Sequence, residues 1–240
     1  MVNTQFLEKK RFAFGEKNVK KAKKEVRALS RTEEIIHAVT HGAGAVLGII
    51  GLVFLIIKAM GQGALAVAGA SFFGAALVIL YSASTLYHTV CINNRSLSES
   101  ALRRVCQKID HSMIFVLILG TYVPACWTSL NGWIGWTVFS IVATCSVVGM
   151  VLNWISIQKF EKIVLTLNVI SGWTIVVAGV PYFHAIGEIG FNYLVAGGLF
   201  YTVGIIFYKM QNIRYFHVVW HVLVLLGSAM HYVMVYNFVY

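Results

Sequence analysis

Charge, and acid above all, is what this sequence has least of. Only 12% of its 240 residues are charged, about half the share that soluble domains carry, so water is not the chain's main solvent. Asp110 is the only aspartate. The four cysteines, Cys91, Cys106, Cys126 and Cys145, form no CxxC pair. That excludes a disulfide framework and leaves small apolar side chains or cytosolic thiols. Lysine is missing from the apolar runs except for Lys58 at the end of one, so a retinal Schiff base has no suitable anchor. No short apolar core with a small-residue cleavage site follows the N-terminus, and no cleavable signal peptide is expected. Internal repeats and low-complexity segments are absent too.

What remains is apolar. The chain is 58% hydrophobic, and runs of about 20 residues recur, the length that carries a helix across a ~30 Å bilayer core. Seven such spans are expected: residues 37–57, 64–90, from 109 through Pro124, from the Asn131-Gly132 turn to before Lys159, 163–181, 191–208, and from Tyr215 onward. Pro124 should kink its helix. Ser30-Arg31-Thr32-Glu33 fits a capping box and marks the start of the first helix. Gly44 and Gly48 form a small-xxx-small pair suited to close packing. Trp127, Trp133 and Trp136 flank one turn as interfacial anchors.

Charge placement sets the expected topology. With the N-terminus inside, eighteen of the nineteen Lys and Arg fall on the cytosolic side, and Lys58 alone lies outside. The expected fold is an all-α membrane protein, a seven-transmembrane-helix bundle with N-terminus cytosolic and C-terminus outside. Residues 1–31 form a basic cytosolic arm, and 32–240 form the membrane domain. A basic block ahead of a membrane span points to anionic lipid headgroups as partner rather than nucleic acid.

Polar side chains inside the spans carry the chemistry. His217 and His221 lie one turn apart on one helix face, the spacing that offers two imidazoles to a single metal ion. By helical rise they lie ~5 and ~10 Å inside the cytosolic boundary, with His88 at most ~10 Å in and Asp110 ~3 Å in. Three imidazoles and an open fourth position make a catalytic zinc site, and a neighbouring carboxylate can take a proton from water. Asp110 suits that role, and Ser84, one turn before His88, can hold substrate or a ligand. His37 and His41 have the same spacing as His217 and His221, so spacing leaves them equally eligible. Bis-histidine haem accommodates the histidines but leaves Asp110 without a role. His231 is ~21 Å along the axis from His217, too far to share the site. It and His184 read as outer-face groups, and His111, pointing ~100° away from Asp110, as a helix contact.

Thr40-His41-Gly42, Ser84-x3-His88, Lys108-Ile109-Asp110 followed by Gly120-Thr121-Tyr122-Val123-Pro124, and His217-x3-His221 with His231 together resemble the hemolysin III family. This is the bacterial branch of the progestin and adipoQ receptor group, related to the alkaline ceramidases. The resemblance runs from about Glu33 to the C-terminus and implies a seven-helix zinc protein of the bacterial plasma membrane. On that likeness the metal ligands fall on His88, His217 and His221, the water-holding aspartate on Asp110 and the serine on Ser84. His37 stands where the likeness leads one to expect asparagine. The implied function is a zinc-dependent hydrolase of a lipid amide or ester. The alternatives are a non-enzymatic membrane-homeostasis or receptor-like protein with structural zinc, and a pore-forming cytolysin.

Overall fold

The computed structural model describes residues 27–93, 100–130 and 132–240. The basic arm before Arg27, the connection carrying Arg95, and Asn131 of the expected turn lie outside the described residues. Among the described residues all regular structure is helical. The main helices are α1 (Arg31–Ala59), α2 (Ala64–Asn93), α3 (Ala101–Pro124), α4 (Trp133–Trp173), α5 (Gly179–Lys209) and α6 (Phe216–Met234).

The capping box forms in full. Glu33 N–H donates to Ser30 Oγ at 3.2 Å, and Ser30 N–H donates to the Glu33 carboxylate at 2.9 Å. Two orphan amides are thereby satisfied, and Glu33 and Glu34 complement the positive end of the helix dipole. A short 3-10 turn, Met60–Gln62, and Gly63 at φ 98 then reverse the chain into α2; the left-handed φ is one that glycine adopts without strain.

Helix α3 starts at Ala101, eight residues ahead of the expected span at Ile109, because Ser100 caps it by accepting from Arg103 N–H at 3.2 Å. The cap lets a polar first turn become helical before the apolar run begins. At Pro124 the α-helix ends and continues as a π-helical turn, Ala125–Ser129, since proline has no N–H to give the preceding turn.

Among the described residues, five helical stretches are long and apolar enough to cross a membrane, and one of them runs for 77 residues, Trp133–Lys209. That stretch is interrupted. Ser156 is extended (φ −166, ψ 111), and its Oγ accepts from Lys159 N–H at 3.3 Å, capping the helix that follows. A 3-10 segment, Thr174–Ala178, and Gly187 at φ 71 break it again.

Helix α1 packs against α2 and α6, α3 against α2 and α4, and α5 against α6. Gly44 allows α1 its close approach: a Cβ there would stand 2.7 Å from Leu225 Cδ2 and 3.0 Å from Tyr81 Cγ, so the small-residue stripe does pack as its spacing implied. The outward surface is apolar, with Val39, Leu47 and Val177 at least 64% exposed. Histidine, serine and glutamate instead fill interior positions: His37, His88, Ser84 and Glu33 are all buried. Apolar out and polar in is the pattern lipid imposes.

Candidate metal centre

The start of α1 and the start of α6 are tied together by one carboxylate. Glu33 accepts from Arg27 Nη2 at 2.6 Å and Nη1 at 3.0 Å, from Ser30 N–H, and from Tyr215 N–H at 2.8 Å. Tyr215 takes a left-handed φ of 65 just before α6, and Arg27 N–H reaches Asn212 Oδ1 at 3.2 Å. The hydrogen bonds from Arg27 to Glu33 hold the guanidinium above its ordinary pKa. This clasp fixes where His37, four residues on, stands relative to His217.

Helical spacing puts Glu34, His37 and His41 along one face of α1, and all three are buried. Glu34 Oε2 lies 2.6 Å from His88 Nδ1 and 3.9 Å from His37 Nδ1. With Glu34 ionised, His88 Nδ1 carries the shared proton, which leaves Nε2 as the free lone pair. A carboxylate holding the far nitrogen of a histidine is the usual support of a metal-binding imidazole.

Five rings converge here. His37 lies 4.6 Å from His88, 4.9 Å from His217 and 4.5 Å from His221, measured between ring centroids. His217 and His221 are 4.9 Å apart, His88 and His221 4.9 Å, and His88 and His217 5.9 Å. His41 stacks on His221 at 3.8 Å. Among the described residues, ligand atoms lie mutually within 4.8 Å in two sets, His37 with His217 and His221, and Glu34 with His37 and His88. Both ring nitrogens of His37 and His41, Nε2 of His88, and Nδ1 of His217 and His221 are buried without a hydrogen-bond partner. Unsatisfied polar atoms are costly in a protein interior, and a divalent cation is the ligand that imidazole lone pairs answer. The residues present fit a metal ion.

The expected residues thus fall into two groups. His88, His217 and His221 belong to the ring cluster, but their ligand atoms do not converge as one set: His88 groups with Glu34 and His37, and His217 and His221 group with His37. Asp110 and Ser84 instead line an adjoining cavity of about 1360 Å³, its open mouth included, on whose wall His41, His217 and His221 also stand. Ser84 and Asp110 come from α2 and α3, so the cavity lies between those helices. His111 faces this cavity as well, rather than serving only as a contact between helices. His231 is not one of the clustered rings, its Nε2 standing 3.2 Å from Leu194 O, but it too lines this cavity. Glu34 went unread in the sequence, and His37 was no more than spacing-eligible. The signal for both was Glu-x2-His-x3-His on one face of a capped helix.

A protein-family model described as "Haemolysin-III related" matches residues 29–232. The chain belongs to this haemolysin-III related family. It is 38% identical to Hemolysin-3 of Bacillus cereus over 199 residues, covering 82% of this chain and 88% of that protein. It is 37% identical to the Hemolysin-3 homolog of Bacillus subtilis (strain 168) over 198 residues, covering 82% and 90%. Monocyte to macrophage differentiation factor of Homo sapiens is a more distant relative, 26% identical over 180 residues, covering 70% and 69%. The match to the haemolysin-III model takes in Glu33, Glu34, all five clustered histidines, Ser84 and Asp110. With its apolar helices, this makes the chain a multi-pass membrane protein.

Proposed function

We propose that this haemolysin-III family member is a zinc-dependent hydrolase that cleaves an amide or ester of a membrane lipid. The carrying observation is the set of buried, unpartnered imidazole nitrogens beside a cavity that holds Asp110 and Ser84. His88, His217 and His221 would hold the ion. When bound, zinc polarises a carbonyl and makes water a nucleophile near neutral pH. Glu34 fixes the orientation of His88. Asp110 accepts the proton of the attacking water and delivers it to the leaving nitrogen or oxygen, and Ser84 keeps the carboxyl in place. Apolar walls such as Leu80, Ile114 and Val224 take the acyl chain.

The same reading assigns seven crossings, with residues 133–155, 157–186 and 188–209 as three of them, each of roughly 20 to 30 residues as a tilted span requires. The N-terminus is cytosolic, the C-terminus outside, and the basic arm binds anionic headgroups. The name of the two Bacillus relatives points to membrane lysis. A pore, however, calls for a polar path along the bundle, whereas the buried ionisable groups of the described residues gather mainly at one end of the α1, α2 and α6 helices. Dye retention by liposomes holding the purified protein tests that alternative.

The hydrolase reading is tested with purified protein, metal analysis and a panel of lipid amides and esters. About one zinc per chain is expected; His221→Ala loses the metal, while Asp110→Asn keeps it and loses turnover. Full activity in metal-free protein would sink the proposal. A membrane phenotype that survives in Asp110→Asn would favour the second reading, structural zinc without turnover.

A further inference from the structure

Helix α4 brings polar groups to the cavity that the hydrolase reading leaves without a task. Asn153 is 1% exposed, and among the described residues neither its Oδ1 nor its Nδ2 has a hydrogen-bond partner. Asn168 Oδ1 is a buried atom without a partner as well. Both asparagines line the cavity that holds Asp110. They stand on either side of the break at Ser156, so one long helical stretch brings two carboxamides to the same space. Lys108, two residues before Asp110, donates to Trp154 O at 2.6 Å, which sets the neighbouring Asn153 level with the start of α3. His217 and His221 reach the cavity from α6, and the amides reach it from α4.

We propose that Asn153 and Asn168 form a subsite for an uncharged lipid head that carries two or more hydroxyl groups. The proposal rests on the hydrolase reading of this cavity and names the head that its substrate bears. Which atoms are orphaned decides the chemistry. Two amide oxygens need donors, and one NH2 group needs an acceptor. An ester or ether oxygen only accepts and leaves both amide oxygens unpaired, whereas a hydroxyl donates as well as accepts. A diol therefore answers all three atoms. Buried polar groups are nearly always paired, and in a cavity wall the partner can arrive with the ligand.

Charge argues against a phosphate in this place. Among the described residues lining the cavity none is lysine or arginine, and its acids are Asp110 and Glu161. A phosphate head would meet carboxylates there and find neither the guanidinium nor the ammonium that usually binds it. Carboxamides suit a neutral hydrogen-bonding group, which enters an apolar cavity without the desolvation penalty of an ion.

The full chain is reconstituted in phosphatidylcholine nanodiscs, which bring no hydroxyl group of their own. A tritiated octadecenyl ether of glycerol is competed with the same unlabelled ether, with octadecenyl methyl ether, and with the phosphate monoester of the glycerol ether. Ethers are not cleaved, so binding is read whether or not the protein turns lipid over, and the hydrolase reading can fail with this result standing. Each hydrogen bond is worth roughly 2–10-fold in affinity, so the wild type should prefer the glycerol ether to the methyl ether by roughly 10–100-fold. Asn153→Leu gives up both orphaned atoms and should cut that preference about 10-fold, with a smaller loss in Asn168→Leu. Comparing this ratio across variants cancels the lipids' own partitioning into the bilayer. Asn153→Leu breaks no hydrogen bond of the protein itself, so its melting midpoint should not fall. A wild-type preference retained in Asn153→Leu overturns the proposal; where that variant does not fold, the same result in Asn168→Leu does so. Equal wild-type affinity for the phosphate monoester and the glycerol ether overturns it too. A lowered midpoint with the preference intact would give Asn153 a packing role instead.

Discussion

Glu33→Gln removes one charge and one acceptor from a buried carboxylate that receives four hydrogen bonds. The amide keeps a single oxygen for the main-chain donors Ser30 N–H and Tyr215 N–H, and its NH2 group must then face a donor. Weakening one charge-assisted bond costs about 1 kcal/mol, and stranding a buried donor costs about 1–3 kcal/mol. The Arg27 side chain is 32% exposed, so water takes over much of its share and it adds little. The expected loss is about 2–4 kcal/mol, or roughly 5–15 °C in Tm for a chain of this size. Tryptophan fluorescence during heating of the solubilised protein measures it, with Arg27→Ala as the milder control. A Glu33→Gln midpoint within a degree or two of wild type would mean that the α1–α6 clasp contributes nothing.

Two further outcomes are expected. The proposed seven crossings would place Gln62 outside and Lys162 inside, so in intact cells an impermeant thiol reagent should label Gln62→Cys and spare Lys162→Cys; labelling both from outside contradicts that topology. Tyr81 donates to Ser228 Oγ at 2.6 Å, and Tyr201 stands 2.8 Å from the same oxygen. Tyr81→Phe therefore costs about 1 kcal/mol in chemical or thermal unfolding, and no loss on melting would show that the bond is idle.

Helix α1 shows what a sequence makes legible. Its start could be read from Ser30 and Glu33, its close packing from Gly44 and Gly48, and its membrane fate from run length, because each of these is a local pattern. The pairing of Glu34 with His88 is not local: 54 residues separate them. A glutamate in a first helical turn reads as a response to the helix dipole, and only the packing of α2 against α1 turns it into the partner of an imidazole. His217 and His221 announced themselves by spacing. His37 and His41 had the same spacing and became distinguishable once three helices fixed which ring faced the centre. The long stretch from Trp133 to Lys209 is the reverse case. Hydropathy divides it at the charged Lys159 and Lys162, and the backbone breaks at Ser156 beside them, where the serine hydroxyl caps the next helix.

Two consecutive acids, Glu33 and Glu34, are therefore given opposite tasks by the ~100° between neighbouring helix positions. Glu33 turns toward Arg27 and the start of α6, and Glu34 turns toward His88. Each would be expensive to bury alone at a membrane boundary. Glu33 is compensated by nearby Arg27 and by the distant Tyr215 amide, and Glu34 by the distant His88 ring. One helical turn thus sets both the seat of α6, which carries His217 and His221, and the orientation of the α2 imidazole. An ion held among those rings, as proposed, would draw on the same turn twice. On that reading, a substitution at Glu33 or Glu34 should change metal affinity and the seating of α6 together rather than separately.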